Sequence, residues 1–196
     1  MKRRHLLFVG LIALAVNLGA AYWTRFQIRL QVDKLLELMD AAVGRSGFGE
    51  DLTSLSTISW LVELARWNVG GFACLSVALI LGIIARSCVQ FPNARIREAV
   101  GSLLYVPALI VLGGMGYFFS LVCGSYAQAG IEMARRAARD EALTPDEMME
   151  RIRHGLTGTT GQVEMMTVAG AFLGLASVAL FFDLVAKLGI GRRSAS

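Results

Sequence analysis

Residues 99–131 read AVGSLLYVPALIVLGGMGYFFSLVCGSYAQAGI, 33 consecutive positions without an Asp, Glu, Lys or Arg. About 20 mostly apolar residues, rising 1.5 Å each, carry a helix across the hydrocarbon of a bilayer. Three further uncharged runs accompany this one: Leu6–Trp23 with 18 residues, Trp67–Ala85 with 19 and Met165–Phe182 with 18. Over the whole 196 residues, 55% are hydrophobic and 17% charged, where a soluble domain carries about 25% charged residues. The mean hydropathy is +0.57. Such a chain cannot cover an ordinary water-facing surface. The composition therefore excludes a soluble enzyme, a secreted disulfide scaffold and a disordered tail. We expect an all-α integral membrane protein with four transmembrane helices and two outer helical hairpin extensions. It should form one membrane domain over 1–196, with spans at about 6–24, 67–86, 101–123 and 164–186 and outer connections at 25–66 and 124–163.

The charges give an orientation. Four spans put both termini and the middle connection on one side. That side holds nine cations (Lys2, Arg3, Arg4, Arg86, Arg95, Arg97, Lys187, Arg192 and Arg193) against Glu98 alone, a net +8. The first long connection has five cations and six carboxylates, the second five and seven. Short cytoplasmic loops carry the excess of Lys and Arg, so both termini should be cytoplasmic, as in a bacterial inner (plasma) membrane protein. The basic balance thus reflects topology. No compact basic face interleaved with aromatics is present, and no nucleic-acid partner is expected.

The first run has a competing reading. Lys2-Arg3-Arg4, an apolar stretch and then Gly19-Ala20-Ala21 also fit a secretory signal with a small-residue cleavage site. Retention is favoured because the chain beyond Ala21 continues as helix. In 25–43, Ile28, Val32, Leu35, Met39 and Ala42 recur at spacings of four and three, a helical seam. Arg29 and Asp33 form an i,i+4 pair across the polar side. The first helix should then run from about 5 to 43, and Gly44 to Gly49 should break it. Asp51, Thr53 and Ser54 offer caps for a second helix running through Trp60 and Trp67 into the second span. Tyr22, Trp23, Trp60 and Trp67 fall near one boundary, where amphipathic rings are favoured.

The second connection follows the same plan. Glu132–Arg136 and Arg136–Asp140 are i,i+4 pairs, and Thr144-Pro145-Asp146-Glu147 is a helix start with Thr as cap, Pro at N1 and Glu reaching back. That helix should stop at Gly155, with Gly158-Thr-Thr-Gly161 as a turn before the last span.

Chemistry-bearing groups are sparse. Cys74, Cys88 and Cys123 contain no C-x-x-C, and paired redox cysteines are what a membrane thiol oxidoreductase needs. His5 and His154 are the two histidines, both outside the runs, so no pair offers itself for haem. We expect no catalytic residues, no metal and no cofactor. Asp183 is the charge within a span, where burial costs about 2.5–3.5 kcal/mol; it can pair with Lys187 one turn on, or with Arg86. Asn17, deep in the first span, suits an interhelical hydrogen bond. Glu63, Arg66 and Glu164 cluster at the outer boundary, as a paired interface or a pore mouth. Gly170-x-x-x-Gly174 leaves a groove for close helix approach, and Gly113 and Gly114 can serve the same end beyond the kink expected at Pro107.

From these readings we expect a non-enzymatic membrane subunit or scaffold, a helical bundle held in the lipid bilayer and assembling with itself or with other membrane subunits. A small oligomeric channel or transporter is the alternative, and a membrane enzyme ranks behind both. On the outer helix, Ile28, Val32, Leu35 and Met39 are expected to face either the second outer hairpin or a partner chain, because a bare apolar stripe in water leaves roughly 1.5–3 kcal/mol per large side chain unrealised.

Overall fold

Each apolar run is carried by a helix that extends well past it. The computed structural model describes residues 3–42, 52–90, 103, 105–140 and 143–188. Helix α1 spans Arg3–Ala42 and α2 spans Leu52–Gln90. The third rod begins as α3 (Tyr105–Ala108), widens into a π-helical segment (Leu109–Met115) and continues as α4 (Gly116–Ala137). Helix α5 spans Pro145–Lys187. No strand occurs among the described residues. Four helices are long and apolar enough to cross a membrane: Phe8–Glu37, Leu55–Arg86, Tyr105–Ala137 and Pro145–Lys187. With 40 residues in α1 and 39 in α2, each is about 60 Å long. Bilayer hydrocarbon is about 30 Å thick, so each helix has length to spare. The break expected over Gly44 to Gly49 and the cap at Asp51 lie outside the described residues.

The start of α5 forms as its sequence reads. The Glu147 amide donates to Thr144 Oγ1 at 3.4 Å, and the Thr144 amide donates back to Glu147 Oε2 at 3.0 Å. The Thr144 hydroxyl donates to the same carboxylate at 2.8 Å. This is a reciprocal capping box. The side-chain bond from Thr144, and then the backbone one, hold the Glu147 carboxyl below the usual glutamate range.

The expected end of this helix is corrected. Helix α5 does not stop at Gly155, and Gly158–Gly161 is not a turn; both lie inside one 43-residue helix. A glycine costs a helix interior about 1 kcal/mol, which packing can offset. Here a methyl group on Gly155 would stand 2.5 Å from the Gly130 carbonyl oxygen, and one on Gly130 would stand 2.5 Å from the Gly155 oxygen. The two backbones touch, so this glycine marks a crossing of α4 and α5. Thr159 locks it, its hydroxyl lying 3.0 Å from both the Ala127 and Gly155 carbonyls. A separate correction concerns Arg29, whose ion-pair partner among the described residues is Glu164 and not Asp33. Arg25 joins the same carboxylate at 3.3 Å.

The chain divides into two compact units, to each of which all four rods contribute. The first comprises Met1–Ala20, Val69–Phe119 and Ala169–Ser196. Its interior holds small and polar groups as well as apolar ones: Asn17, Ala73, Ser76 and Ser177 are buried, and the Ser76 and Ser177 hydroxyls meet at 2.9 Å. Ile80, Ile83 and Leu173 are buried as well, while many large side chains face outward, among them Phe8, Leu11, Val16, Ile110, Phe118 and Phe172. Gly10 of α1 lies against Phe182 of α5, and Gly174 against Asn17, so these helices run antiparallel; Ser76 meets Ser177 and Gly82 meets Leu184, so α2 and α5 run parallel.

The second unit comprises Ala21–Asn68 and Ser120–Val168. Its interior is built from large apolar side chains, with Ile28, Ile58, Val62, Ile131, Ile152 and Leu156 almost wholly buried. Its surface carries ion pairs, Arg66–Glu63 at 3.2 Å, Arg135–Glu132 at 3.1 Å and Arg136–Glu132 at 3.2 Å, the last of these as the i,i+4 spacing requires. Ser59 and Gln128 tie α2 to α4 through two hydrogen bonds, at 2.8 and 3.1 Å. Tyr22, Trp23, Trp60 and Trp67 are all exposed.

Candidate functional site

Asp183 and Lys187 stand one turn apart on α5, and the ammonium donates to Asp183 Oδ2 at 3.0 Å. A third residue completes the cluster. Tyr105, the first residue of α3, donates its hydroxyl to the same carboxylate oxygen and accepts from Lys187 Nζ at 3.0 Å. The ammonium also sits 4.7 Å from the centre of the Tyr105 ring, within cation–π range. Lys187 and Asp183 side chains remain 33% and 37% exposed, so the cluster is open on one side and its charges are only partly desolvated. It joins the start of the third rod to the end of α5. Directly beyond it come Pro107 and the π-helical segment, in which the ladder of hydrogen bonds is shifted by one residue. Arg86, the other partner considered for Asp183, is half-buried on α2 in the same unit.

The glycine and amide candidates separate. Asn17 is 5% exposed, and a methyl group on Gly174 would stand 2.8 Å from its Oδ1; two residues singled out independently in the sequence are thus packed together. Gly170, one turn before, is buried. Gly113 is closed by the Val77 side chain, and a methyl group on Gly116 would meet Leu173 at 3.2 Å. Gly114 is the exception. It is exposed, and no described residue lies within 4 Å of the methyl position, so no described helix packs against it.

Of the two alternatives for the outer seam, the one within the chain agrees with its burial. Ile28, Val32 and Leu35 are 1%, 4% and 3% exposed, buried within the chain's own second unit and inaccessible to a separate partner. Ile152 of α5, 2% exposed, belongs to the same core. The Met39 side chain lies outside the described residues. Glu63, Arg66 and Glu164 do not form a common ring, since Glu63 pairs with Arg66 and Glu164 with Arg25 and Arg29.

Four contributors escaped the sequence reading. Ser177 extends the Gly170, Gly174 face by a further spacing of three, a signal that was available. Ser76, its partner, is one of many small residues in its run and carries no such mark. Tyr105 reaches Asp183 across 78 positions, and Gly130 meets Gly155 across a helix crossing, neither of which periodicity encodes. Cys74 is exposed and Cys123 buried. Among the described residues, no three His, Cys, Asp or Glu side chains come together. No protein-family model matches the chain, and no curated protein or solved structure does so either.

Proposed function

We propose that the chain is a non-enzymatic multi-pass membrane protein, a subunit or scaffold of a membrane assembly, with its termini in the cytoplasm of a bacterial cell. The observation that carries this reading is the contrast between the surfaces of the two units. In the first, large apolar side chains such as Phe8, Leu11, Phe118 and Phe172 are outside, as a lipid solvent allows, and the buried Ser76 and Ser177 hydroxyls are paired with each other. In the second, large apolar groups are inside and ion pairs outside, as water favours. The first unit's segments then lie in lipid and the second unit's segments in water on the outer side, as two outer helical hairpins. Exposed Tyr22, Trp23, Trp60 and Trp67 suit the interface between those solvents.

Within the lipid-exposed unit the polar groups close on one another, as Ser76 does on Ser177 and Lys187 on Asp183. They therefore support packing and assembly, to itself or to other membrane subunits, better than they support a conducting path. One observation favours the channel or transporter alternative, namely the π-helical break beside a charged cluster, because transporter sites are built at interrupted helices. Native mass spectrometry of the complex, released from membranes in mild detergent, tests the proposal. A mass corresponding to several copies, or to this chain with defined partners, is expected. A lone 21.2 kDa chain that conducts ions in proteoliposomes would overturn it.

A further inference from the structure

The third rod changes register between two fixed points of the first unit. At one of them, a methyl group on Gly116 would meet Leu173 at 3.2 Å and Ala73 at 3.4 Å, and Gly113 lies against Val77. At the other, Tyr105 is held to α5 through Asp183 and Lys187. Between them runs the π-helical segment Leu109–Met115, and the Gly116 amide donates to the Val111 carbonyl, five residues back. A π turn holds one residue more than an α turn, and one residue is worth about 100° of helix rotation. The outer face shows the consequence. Val106, Ile110, Gly114 and Phe118 are all exposed, at spacings of four. On an unbroken α-helix that spacing drifts by about 40° per step, or about 120° over three steps. The wider π turn takes up most of the drift and keeps the four residues on one side. Closing the segment to an α-helix, with α4 held in place, would turn the start of the rod by one residue. Val106 would then stand where Tyr105 stands, and Tyr105 would leave Asp183. Three features favour such a change. Pro107 has no amide to donate, so one backbone bond of the ladder is already absent there. Gly113 and Gly114 give the segment little preference for either form. The exchange brings apolar Val106 inward, and the contact it breaks is open to solvent, with the Asp183 and Lys187 side chains about a third exposed.

We propose that the third rod is a two-register switch. In the clipped register Tyr105 covers the Asp183–Lys187 pair and the segment is π-helical. In the released register the segment is α-helical, the start of the rod is turned by about 100°, and the ion pair is uncovered. The switch lies within one unit and does not depend on what that unit assembles with.

Distances between paired spin labels, read by double electron–electron resonance, test it on the full chain in detergent, with Cys74, Cys88 and Cys123 replaced by serine. One label goes on Leu81→Cys of α2 and the other on Leu103→Cys, both exposed positions. A label carried about 5–6 Å from the helix axis moves by about 8 Å when the helix turns by about 100°. Without further change the chain should give one main distance. Asp183→Asn and Tyr105→Phe should each raise a second population, displaced by several Å and by no more than about 8 Å. Deleting Ile110, an exposed residue of the π-helical segment, leaves the rod no spare residue and makes it α-helical in the clipped register. In that background the main distance should remain and the second population should be lost from both variants. A label pair on Leu81→Cys and Phe118→Cys, the latter exposed beyond the segment, should keep a single distance throughout. Unchanged distances in both Asp183→Asn and Tyr105→Phe overturn the proposal. So does a second population that survives the deletion, or one that appears in the Phe118 pair. If the shortened chain does not fold, the two clip variants and the Phe118 pair still decide.

Discussion

Gly155 and Gly158 sit less than one turn apart on α5 and have opposite surroundings. A methyl group on Gly155 meets the backbone oxygen of Gly130 at 2.5 Å, a neighbour that cannot rotate away, while one on Gly158 meets nothing within 4 Å. Gly155→Ala must therefore push α4 and α5 apart at their crossing and weaken the bonds from Thr159 that bridge it. Overpacking of this kind costs about 1–3 kcal/mol. Gly158→Ala only removes backbone freedom from the unfolded chain and should add about 0.5–1 kcal/mol. A chain of this size changes its Tm by about 2–4 °C per kcal/mol. In thermal unfolding in detergent, Gly155→Ala should lower the Tm by several degrees and Gly158→Ala raise it by about 2 °C. Equal shifts for the two variants would show that the crossing is not tight.

At the scale of elements, what was legible followed from the solvent. Bilayer thickness sets a minimum apolar length, so four uncharged runs in the sequence announced four helices long enough to cross. The seam of Ile28, Val32 and Leu35 was legible for a related reason: 3.6 residues per turn places them on one face, and that face is buried. Glycine was misread at Gly155 because the residue serves equally as a helix stop and as a point of backbone contact, and only the partner distinguishes the two. The π-helical segment left no mark beyond Pro107 and the Gly113-Gly114 pair. The Asp183–Lys187 pair was legible from its spacing, but Tyr105 was not, because it comes from another rod. That third member makes the cluster a clip between elements rather than a pair within one. Asp183→Asn leaves the ammonium with a weaker partner and loosens the clip; with both side chains a third exposed, solvent limits the loss to about 1 kcal/mol, or about 2–4 °C in Tm. Adding Lys187→Gln should return part of that loss, since an unmatched charge is worse than none. Strictly additive losses in the double-mutant cycle would show that the two groups do not act together.

For the whole molecule, the governing quantity is where charge is allowed to go. Nine cations against a single carboxylate fall on the terminal side of the proposed topology, while the two long connections are both net acidic. Moving the terminal side outward would oppose the positive-inside bias at three separate places. Helix length adds to this. At about 60 Å, α1 is twice the hydrocarbon thickness, and after Arg3, Arg4 and His5 at its start its charged groups, Arg25, Arg29, Asp33, Lys34, Glu37 and Asp40, all lie in its second half. Under the proposed topology that half lies in water on the side opposite the N-terminus. Single cysteines in a chain whose Cys74, Cys88 and Cys123 are replaced by serine report the arrangement. Glu37→Cys and Thr157→Cys, both at exposed positions, should react with a membrane-impermeant maleimide on intact cells. His5→Cys and Leu188→Cys, exposed in the structure as well, should react only after the cells are permeabilised. The reverse pattern would invert the orientation. Labelling of all four on intact cells would remove the membrane crossing itself, and labelling of His5→Cys but not Leu188→Cys would mean an odd number of spans.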